Sequence, residues 1–282
     1  MSRISEVFLR GKAFIPFITA GDPDLATTEE LIPAMALAGA DLIELGIPFS
    51  DPIAEGIVIQ EADMRALASG TTTDKLFDSV KRIREKTDVP LAFMTYINPV
   101  FVYGSERFIK NAAECGIDAL IVPDMPFEER EELLPFCKTY GVELISLIAP
   151  TSKERIRAIA SESEGFIYCV SSMGVTGVRN EIGTDISEMV SLVKETKDIP
   201  CAIGFGISTP EQAREMSKHA DGVIVGSAIV KIAAEYGKDC AGPVCDYVRE
   251  MKAAISGRHP VRDVFLDKQE GECYTSATRG SS

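Results

Sequence analysis

The chain contains only two histidines, His219 and His259, which lie far apart, and it contains no tryptophan. Its seven cysteines include Cys240 and Cys245, whose spacing is not that of metal ligands. We therefore expect no metal site. An odd number of cysteines scattered over apolar segments is typical of small buried hydrophobic residues in a reducing compartment. The absence of tryptophan excludes no function.

Long hydrophobic runs and basic residues are also scarce. No apolar stretch is long enough to cross a bilayer, so we expect no membrane span. Met1-Ser-Arg-Ile-Ser-Glu6 is not followed by the apolar core of a signal peptide, which predicts a cytoplasmic protein. The 29 Lys and Arg are outnumbered by 43 Asp and Glu, giving a formal net charge of −14. Such a chain repels nucleic acid, and it must hold an anionic ligand by local dipoles.

What the sequence does contain is an alternation of short apolar runs with amphipathic segments. The apolar runs begin near Ala13, Asp41, Leu91, Ala119, Glu143, Phe166, Cys201 and Gly222. Eight strands alternating with helices predict an α/β fold, a single-domain (β/α)8 TIM barrel. A doubly wound open sheet is the alternative. It is disfavoured because the loop after the first strand, Phe17-Ile-Thr-Ala-Gly-Asp-Pro23, carries only one glycine.

The connections between strands differ in length. Those after strands 2 and 6 are the longest, so we expect enlarged βα loops 2 and 6 over the barrel mouth. Residues 1–255 are predicted to form the barrel domain, and residues 256–282, with few apolar side chains, a mobile C-terminal tail. Thr27-Thr-Glu-Glu30 predicts a capping box, and Ser208-Thr-Pro-Glu-Gln212 predicts a cap followed by proline in the first turn.

One carboxylate interrupts the second apolar run, Asp41-Leu-Ile-Glu-Leu-Gly46. An unpaired charge is costly in a hydrocarbon core, so we expect Glu44 to face a partly dry cleft that raises its pKa. Such an environment produces a general acid/base, whereas an ion pair with a distant Lys or Arg is the alternative. Asp51 and Glu55 follow in the next loop. Glu55 is either a second proton-transfer group or a solvated loop charge, and Asp51 a turn or cap residue.

Glycine-containing turns follow the last three strands: Met173-Gly-Val-Thr-Gly177, Gly204-Phe-Gly206 and Val225-Gly-Ser227. Backbone N–H groups of such turns, with a helix N-terminus behind them, bind phosphate without a basic side chain. Each turn alone is better explained by chain geometry, because glycine is the usual residue of tight turns, but together they predict a phosphate site. Large side chains also lie at strand ends. They either fill the core or line an apolar pocket, and they are Phe17, Met94, Tyr96, Tyr168 and Phe205.

Several segments closely resemble the tryptophan synthase alpha subunit family, in order and with matching gaps from about Phe8 to Ile255. They are Phe14-Ile-Pro-Phe-Ile-Thr-Ala-Gly-Asp-Pro23, Glu44-Leu-Gly-Ile-Pro-Phe-Ser-Asp-Pro52, Gly174-Val-Thr-Gly177, Gly204-Phe-Gly-Ile-Ser208 and Gly226-Ser-Ala-Ile-Val-Lys231. The resemblance implies a barrel lyase that cleaves indole-3-glycerol phosphate to indole and glyceraldehyde 3-phosphate by a retro-aldol step without a cofactor. It also implies an α2β2 tetramer in which indole passes to a pyridoxal-phosphate-dependent beta subunit.

The resemblance also implies roles for individual residues. Glu44 matches the acid/base glutamate, and Glu55 falls where the family has an aspartate that accepts the indole N–H. Phosphate and pocket positions fall on Phe17, Tyr168, Thr176, Gly177, Phe205, Gly206, Gly226 and Ser227, to which we add Tyr96 from its place at a strand end. The side chain of Glu55 is one methylene longer than the aspartate that the family usually has there, and Gly56-Ile57 replaces the family's usual Gly-Pro.

Two other hypotheses remain open from the sequence. The substitution at the second carboxylate favours a non-catalytic alpha-like activator of a beta subunit. The phosphate-binding turns are also compatible with another TIM-barrel enzyme, such as a sugar-phosphate epimerase. Indole release by the isolated chain would exclude the first hypothesis, and substrate competition would decide the second.

Overall fold

The computed structural model describes residues 2–170, 179–204 and 206–257, without the side chains of residues 179–185. Parallel strands close into a barrel in which each strand pairs with the next and the last pairs with the first. They are β1 (Ala13–Thr19), β2 (Ile43–Gly46), β3 (Leu91–Met94), β4 (Ala119–Ile121), β5 (Glu143–Ile148), β6 (Ile167–Val170), β7 (Cys201–Gly204) and β8 (Gly222–Val225). The predicted barrel is confirmed, and β2 and β6 begin one or two residues later than predicted.

Helices cover the outside of the barrel. Within the described residues they are α1 (Arg3–Val7), α2 (Leu25–Ala38), α3 (Ile57–Ala68), α4 (Thr73–Arg84), α5 (Ile97–Tyr103), α6 (Ser105–Cys115), α7 (Leu134–Tyr140), α8 (Lys153–Glu162), α9 (Arg179–Thr196), α10 (Pro210–Met216), α11 (Ser227–Tyr236) and α12 (Ala241–Ile255). None of them is long and apolar enough to cross a membrane. The enlarged connection after β2 consists of a loop followed by α3 and α4. After β6, residues 171–178 lie outside the described part of the chain, as do residues 258–282 of the predicted tail.

The two predicted helix caps have different outcomes. At α10 the prediction is confirmed, because Thr209 is the N-cap, Pro210 follows, and the Gln212 side chain completes a capping box. At α2 the predicted position is wrong. Asp24 is the N-cap, and its carboxylate accepts the N–H of Thr27 at 2.8 Å, which places Thr27 inside the helix.

The direction in which Glu44 points follows from the alternation of side chains along β2. Leu42 belongs to the cluster that fills the barrel interior, whereas Ile43 and Leu45 pack in the layer between the sheet and the helices. Successive strand residues face opposite sides, so Glu44 faces inward like Leu42. Both faces of the strands are apolar, as expected for parallel strands covered by helices.

Three aspartates at the N-terminal ends of the strands repeat one arrangement. Each precedes a strand, accepts a backbone N–H from the strand before it, and pairs with a cation on a helix. The three sets are Asp41 with the Phe14 N–H at 2.7 Å and Lys252 at 2.6 Å, Asp118 with the Leu91 N–H at 2.9 Å and Arg84 at 2.7 Å, and Asp221 with the Cys201 N–H at 2.9 Å and Lys194 at 2.8 Å. These aspartates join neighbouring strands to the helical layer at the bottom of the barrel.

We expect Asp118→Ala to destabilise the barrel more than Asp221→Ala. The Asp118 side chain is 11% exposed and that of Asp221 34%. Removing Asp118 leaves the strand N–H without its acceptor and the mostly buried Arg84 without its counter-ion, so that Arg84 keeps carbonyl acceptors such as those of Gly116 and Val89. We expect this to cost about 3 kcal/mol, against about 1 kcal/mol for the more hydrated Asp221. Urea unfolding of both variants measures the difference. Equal losses would contradict the role of burial.

Candidate functional site

Glu44 lies at the centre of the barrel mouth as a buried carboxyl group. It is fully buried, and neither carboxyl oxygen has a hydrogen-bond partner among the described residues. Its register neighbours on β1 and β3 are Phe17 and Ala92, both apolar. Burial raises the pKa of Glu44 to about 8, because the charged form loses its hydration without gaining a partner. No ion pair to Glu44 forms within the described ranges, so the alternative of a paired carboxylate is not supported. The group therefore holds a proton at neutral pH.

Two aromatic residues beside Glu44 lie where glycines leave room for them. A Cβ on Gly46 would lie 2.5 Å from Cζ of Phe17, and a Cβ on Gly204 would collide with the hydroxyl of Tyr168. Burial, together with the charge of Glu44, raises the pKa of Tyr168 well above its usual value. Sequence analysis did not identify Gly46, because its role depends on a contact between strands.

Phe17 connects the apolar pocket with the turn after β8. It is buried, packs against Ala62 of α3 and Val230 of α11, and its Cδ1 would lie 3.3 Å from a Cβ on Gly226. Gly226 is the N-cap of α11, and Ser227 is the first residue of that helix. The helix N-terminus and its free N–H groups thus lie beside Phe17, and they favour an anion there.

Of the other residues predicted to bind phosphate or to line the pocket after β6 and β7, the structure describes only Gly206. Gly206 follows β7 with φ +72°, a left-handed conformation that favours glycine, and precedes α10. Thr176, Gly177 and Phe205 lie outside the described residues.

Tyr96 anchors the loop after β2. Its side chain is buried, and its hydroxyl accepts the N–H of Ala54 at 2.8 Å. Its ring lies 5.5 Å from the ring of Phe49 in the same loop. Ala54, the residue before Glu55, is therefore hydrogen-bonded to a side chain that follows β3 and that was predicted to line the pocket.

Glu55 is a half-buried carboxyl group at the end of that loop. Its Oε2 is buried and has no hydrogen-bond partner among the described residues, and the side-chain amide of Gln60 holds its carbonyl at 2.8 Å. Burial, with a smaller contribution from the charge of Asp124, raises the pKa of Glu55 to about 7. These properties are not those of a solvated loop charge. Asp51, by contrast, is exposed and accepts a hydrogen bond from Ser50.

Sequence analysis missed a third acid near the mouth, Asp63 on α3. It is buried, and burial followed by the charge of Glu55 raises its pKa to about 7. The signal was available in the helical periodicity, because Asp63 lies between Ala62 and Ala66 on the buried face of α3.

The raised pKa of Glu44 predicts a pH-dependent cost to stability. Below about 4.5, its ordinary value, the group is protonated in both states and costs nothing. Between there and about 8 the unfolded chain ionises while the folded chain keeps the proton, so stability falls as pH rises. Glu44→Gln removes this cost and should be more stable than the parent by up to about 5 kcal/mol above pH 8.

Urea unfolding between pH 5 and pH 9 measures this difference. The control is Glu61→Gln, which neutralises an exposed acid on α3. A stability difference between Glu44→Gln and the parent that does not change with pH would show that Glu44 is not held protonated.

Comparisons with known proteins agree with this geometry. The family model described as tryptophan synthase alpha chain matches residues 8–256. A tryptophan synthase alpha chain from Lacticaseibacillus casei is 46% identical over 261 residues, covering 93% of this chain and 98% of the relative. The alpha subunit structure from Legionella pneumophila is 36% identical with a TM-score of 0.82, covering 91% of this chain and 99% of that one. A chain from the Pyrococcus furiosus tryptophan synthase α2β2 complex is 37% identical with a TM-score of 0.79, covering 86% and 98%. The chain belongs to the tryptophan synthase alpha chain family.

Proposed function

We propose that Glu44 and Glu55 carry out in this chain the lyase reaction of its family, cleavage of indole-3-glycerol phosphate to indole and glyceraldehyde 3-phosphate. The observation that carries this assignment is the buried, unpaired Glu44 carboxyl group with a pKa of about 8 at the barrel mouth. A general acid/base works best when its pKa lies near the working pH.

Glu44 has to serve two proton transfers. As the acid it gives its proton to C3 of the indole, which converts the ring to an indolenine with a positively polarised nitrogen. As the resulting carboxylate it takes the proton of the neighbouring carbinol hydroxyl. The C–C bond then breaks, its electron pair restores the aromatic ring, and the carbinol carbon becomes an aldehyde. The proton taken from the hydroxyl restores the acid form of Glu44, so the cycle closes without a net proton and without a cofactor.

Glu55 is proposed to accept the indole N–H. An ionised carboxylate there stabilises the positive charge that develops on the ring nitrogen in the dry mouth. The longer arm of glutamate compared with aspartate is compatible with a loop held at Ala54 by Tyr96 and at the Glu55 carbonyl by Gln60.

The phosphate is proposed to bind at the turns after β6, β7 and β8. Gly206, Gly226 and Ser227 supply backbone N–H groups there, with Gly177 from outside the described residues. This arrangement suits a chain with a net charge of −14. The indole is proposed to lie against Phe17, Tyr96 and Tyr168, with Phe205 and Thr176 completing the pocket from outside the described residues.

The partner is proposed to be a pyridoxal-phosphate-dependent beta subunit, in an α2β2 tetramer that makes tryptophan in the cytoplasm. The related Pyrococcus furiosus chain comes from a complex of that composition. The barrel mouth carries exposed apolar side chains on the β2 loop and on α5, including Ile53, Phe101 and Val102. The cysteines in the described ranges are free thiols, which suits a reducing compartment. The barrel domain, residues 1–255, is the unit that we propose to act in this complex.

An indole-release assay on indole-3-glycerol phosphate tests the function. We expect the parent chain to release indole and Glu44→Gln to lose about 10²–10⁴-fold or more in rate, because one group serves both proton transfers. Glu61→Gln is the matched control, since it removes the same charge from an exposed position. Activity of Glu44→Gln within a few-fold of the parent would refute its role. Indole release without a beta subunit would exclude a non-catalytic activator.

Phe101→Asp should weaken association with a beta subunit at least tenfold, because it places a charge on an apolar docking surface. Tyr236→Asp is a matched control, because Tyr236 is 48% exposed, against 49% for Phe101, and lies at the far end of α11 from the mouth. Titration calorimetry measures both affinities, and binding of inorganic phosphate should be unchanged. Equal affinity of Phe101→Asp and the parent would place the interface elsewhere.

A further inference from the structure

A buried ion pair joins the loop after β1 to α3, the helix that begins two residues after Glu55. Asp22 lies in that loop and is 5% exposed, and Arg65 lies on α3. The guanidinium group of Arg65 donates from Nε to one carboxylate oxygen of Asp22 and from Nη2 to the other, both at 2.8 Å. Two hydrogen bonds between planar groups fix the orientation of the arginine as well as its distance from the carboxylate.

Two further contacts hold the C-terminal end of α3 against the same loop. The hydroxyl of Ser69, the residue after the helix, donates to the carbonyl of Gly21 at 3.2 Å. Thr71 packs so closely on Gly21 that a Cβ there would lie 2.0 Å from the Thr71 hydroxyl oxygen. The loop and the helix therefore meet at three adjacent points, and the ion pair is the most directional of these contacts.

The N-terminal end of α3 leads to the candidate site. The side-chain amide of Gln60 holds the carbonyl of Glu55 at 2.8 Å, and Ala62 packs against Phe17. The helix is continuous from Ile57 to Ala68, with a rise of about 1.5 Å per residue. A rotation or shift of α3 at Arg65 therefore also moves the loop that carries Glu55.

Stability alone does not account for a charged pair at this place. Apolar side chains of similar volume often stabilise a protein as well as a buried ion pair does, because both charges of the pair lose hydration. The two directional hydrogen bonds between Asp22 and Arg65 instead select one orientation of α3 relative to β1, the strand that carries Phe17.

We propose that Arg65 is a positioning residue for the lyase reaction, whose ion pair with Asp22 sets the orientation of α3 and thereby the place of the Glu55 carboxylate beside the indole nitrogen. The inference rests on the proposed role of Glu55. A misplacement of about 1 Å can cost on the order of 10²-fold in rate. Because Glu55 acts on charge that develops in the transition state, while the proposed phosphate turns follow β6, β7 and β8, the effect belongs in kcat rather than in KM.

Two variants and one control separate this role from a general loss of charge. Arg65→Lys keeps the charge but lacks the planar fork, and the double variant Asp22→Asn/Arg65→Gln leaves no buried charge unpaired. Lys238→Gln is the matched control. It removes an ion pair of 2.7 Å between Asp24, at the end of the same loop, and Lys238, which follows α11 rather than lying on α3.

Hydrogen exchange tests the link between Arg65 and the loop without substrate. The Ala54 N–H, which is bonded to the Tyr96 hydroxyl, should exchange about tenfold faster in both Arg65 variants and at the parent rate in Lys238→Gln. The Phe14 N–H, bonded to Asp41 at the bottom of the barrel, is the reference for global unfolding. Unchanged exchange at Ala54, or equal acceleration at Phe14, would overturn the proposal.

The kinetics of indole release test the consequence. We expect kcat to fall about tenfold in Arg65→Lys with little change in KM, and to fall no further when Arg65→Lys is added to Glu55→Gln, because Arg65 acts through Glu55. An unchanged kcat in Arg65→Lys, or the same fall with and without Glu55→Gln, would overturn the inference.

The outcomes also separate this inference from the proposed function. A parent without lyase activity would refute the proposed function, and hydrogen exchange would still decide whether Arg65 holds the loop. If Arg65→Lys does not fold, the double variant takes its place in the kinetic comparison. Failure of both variants to fold would make the ion pair a structural element and overturn the inference.

Discussion

Desolvation of the Glu44 carboxyl group is the constraint on which the candidate site depends. A glutamate on a barrel strand acquires a raised pKa under two conditions. Its carboxyl group must be shielded from water, and no Lys or Arg side chain may reach it. The closed sheet provides the first condition, since Glu44 points into the interior between apolar residues of β1 and β3. Gly46 and Gly204 provide part of the second, because they let aromatic rings occupy the space in which a longer polar side chain would reach the carboxyl group.

The two ends of the barrel use acidic residues in opposite ways. At the bottom, Asp41, Asp118 and Asp221 are paired with helix cations and strand amides, so their charges contribute to stability. At the mouth, Glu44, Glu55 and Asp63 have raised pKa values and no such pairing within the described ranges, so their charges cost stability. The ion pairs at the bottom of the barrel therefore help to offset the cost of the buried acids at the mouth.

Sequence patterns predicted those features that depend on period and order along the chain. The apolar runs located the strands, and the cost of burying an unpaired charge predicted that Glu44 faces a partly dry cleft. Features that depend on contacts between distant segments were not predictable in the same way. Asp24 displaced Thr27 as the cap of α2, and the room that Gly46 leaves for Phe17 exists only once β1 and β2 pair. The pKa of Asp63 is raised first by burial in the fold and then by the charge of Glu55.

The contacts that Asp41 makes with β1 and with Lys252 have a consequence for the order in which the chain folds. Lys252, on the last helix, bonds the carboxylate of Asp41 and also the carbonyl of Lys12, next to β1. The other neighbour of β1 is β8, so the second edge of β1 is open until β8 has been made. During synthesis on the ribosome the early strands can pair with one another, but the first strand stays exposed along one edge until the C-terminal segments emerge. Closure of the barrel thus waits for the synthesis of β8, and a chain truncated before β8 would present an unpaired, apolar edge that is prone to aggregate.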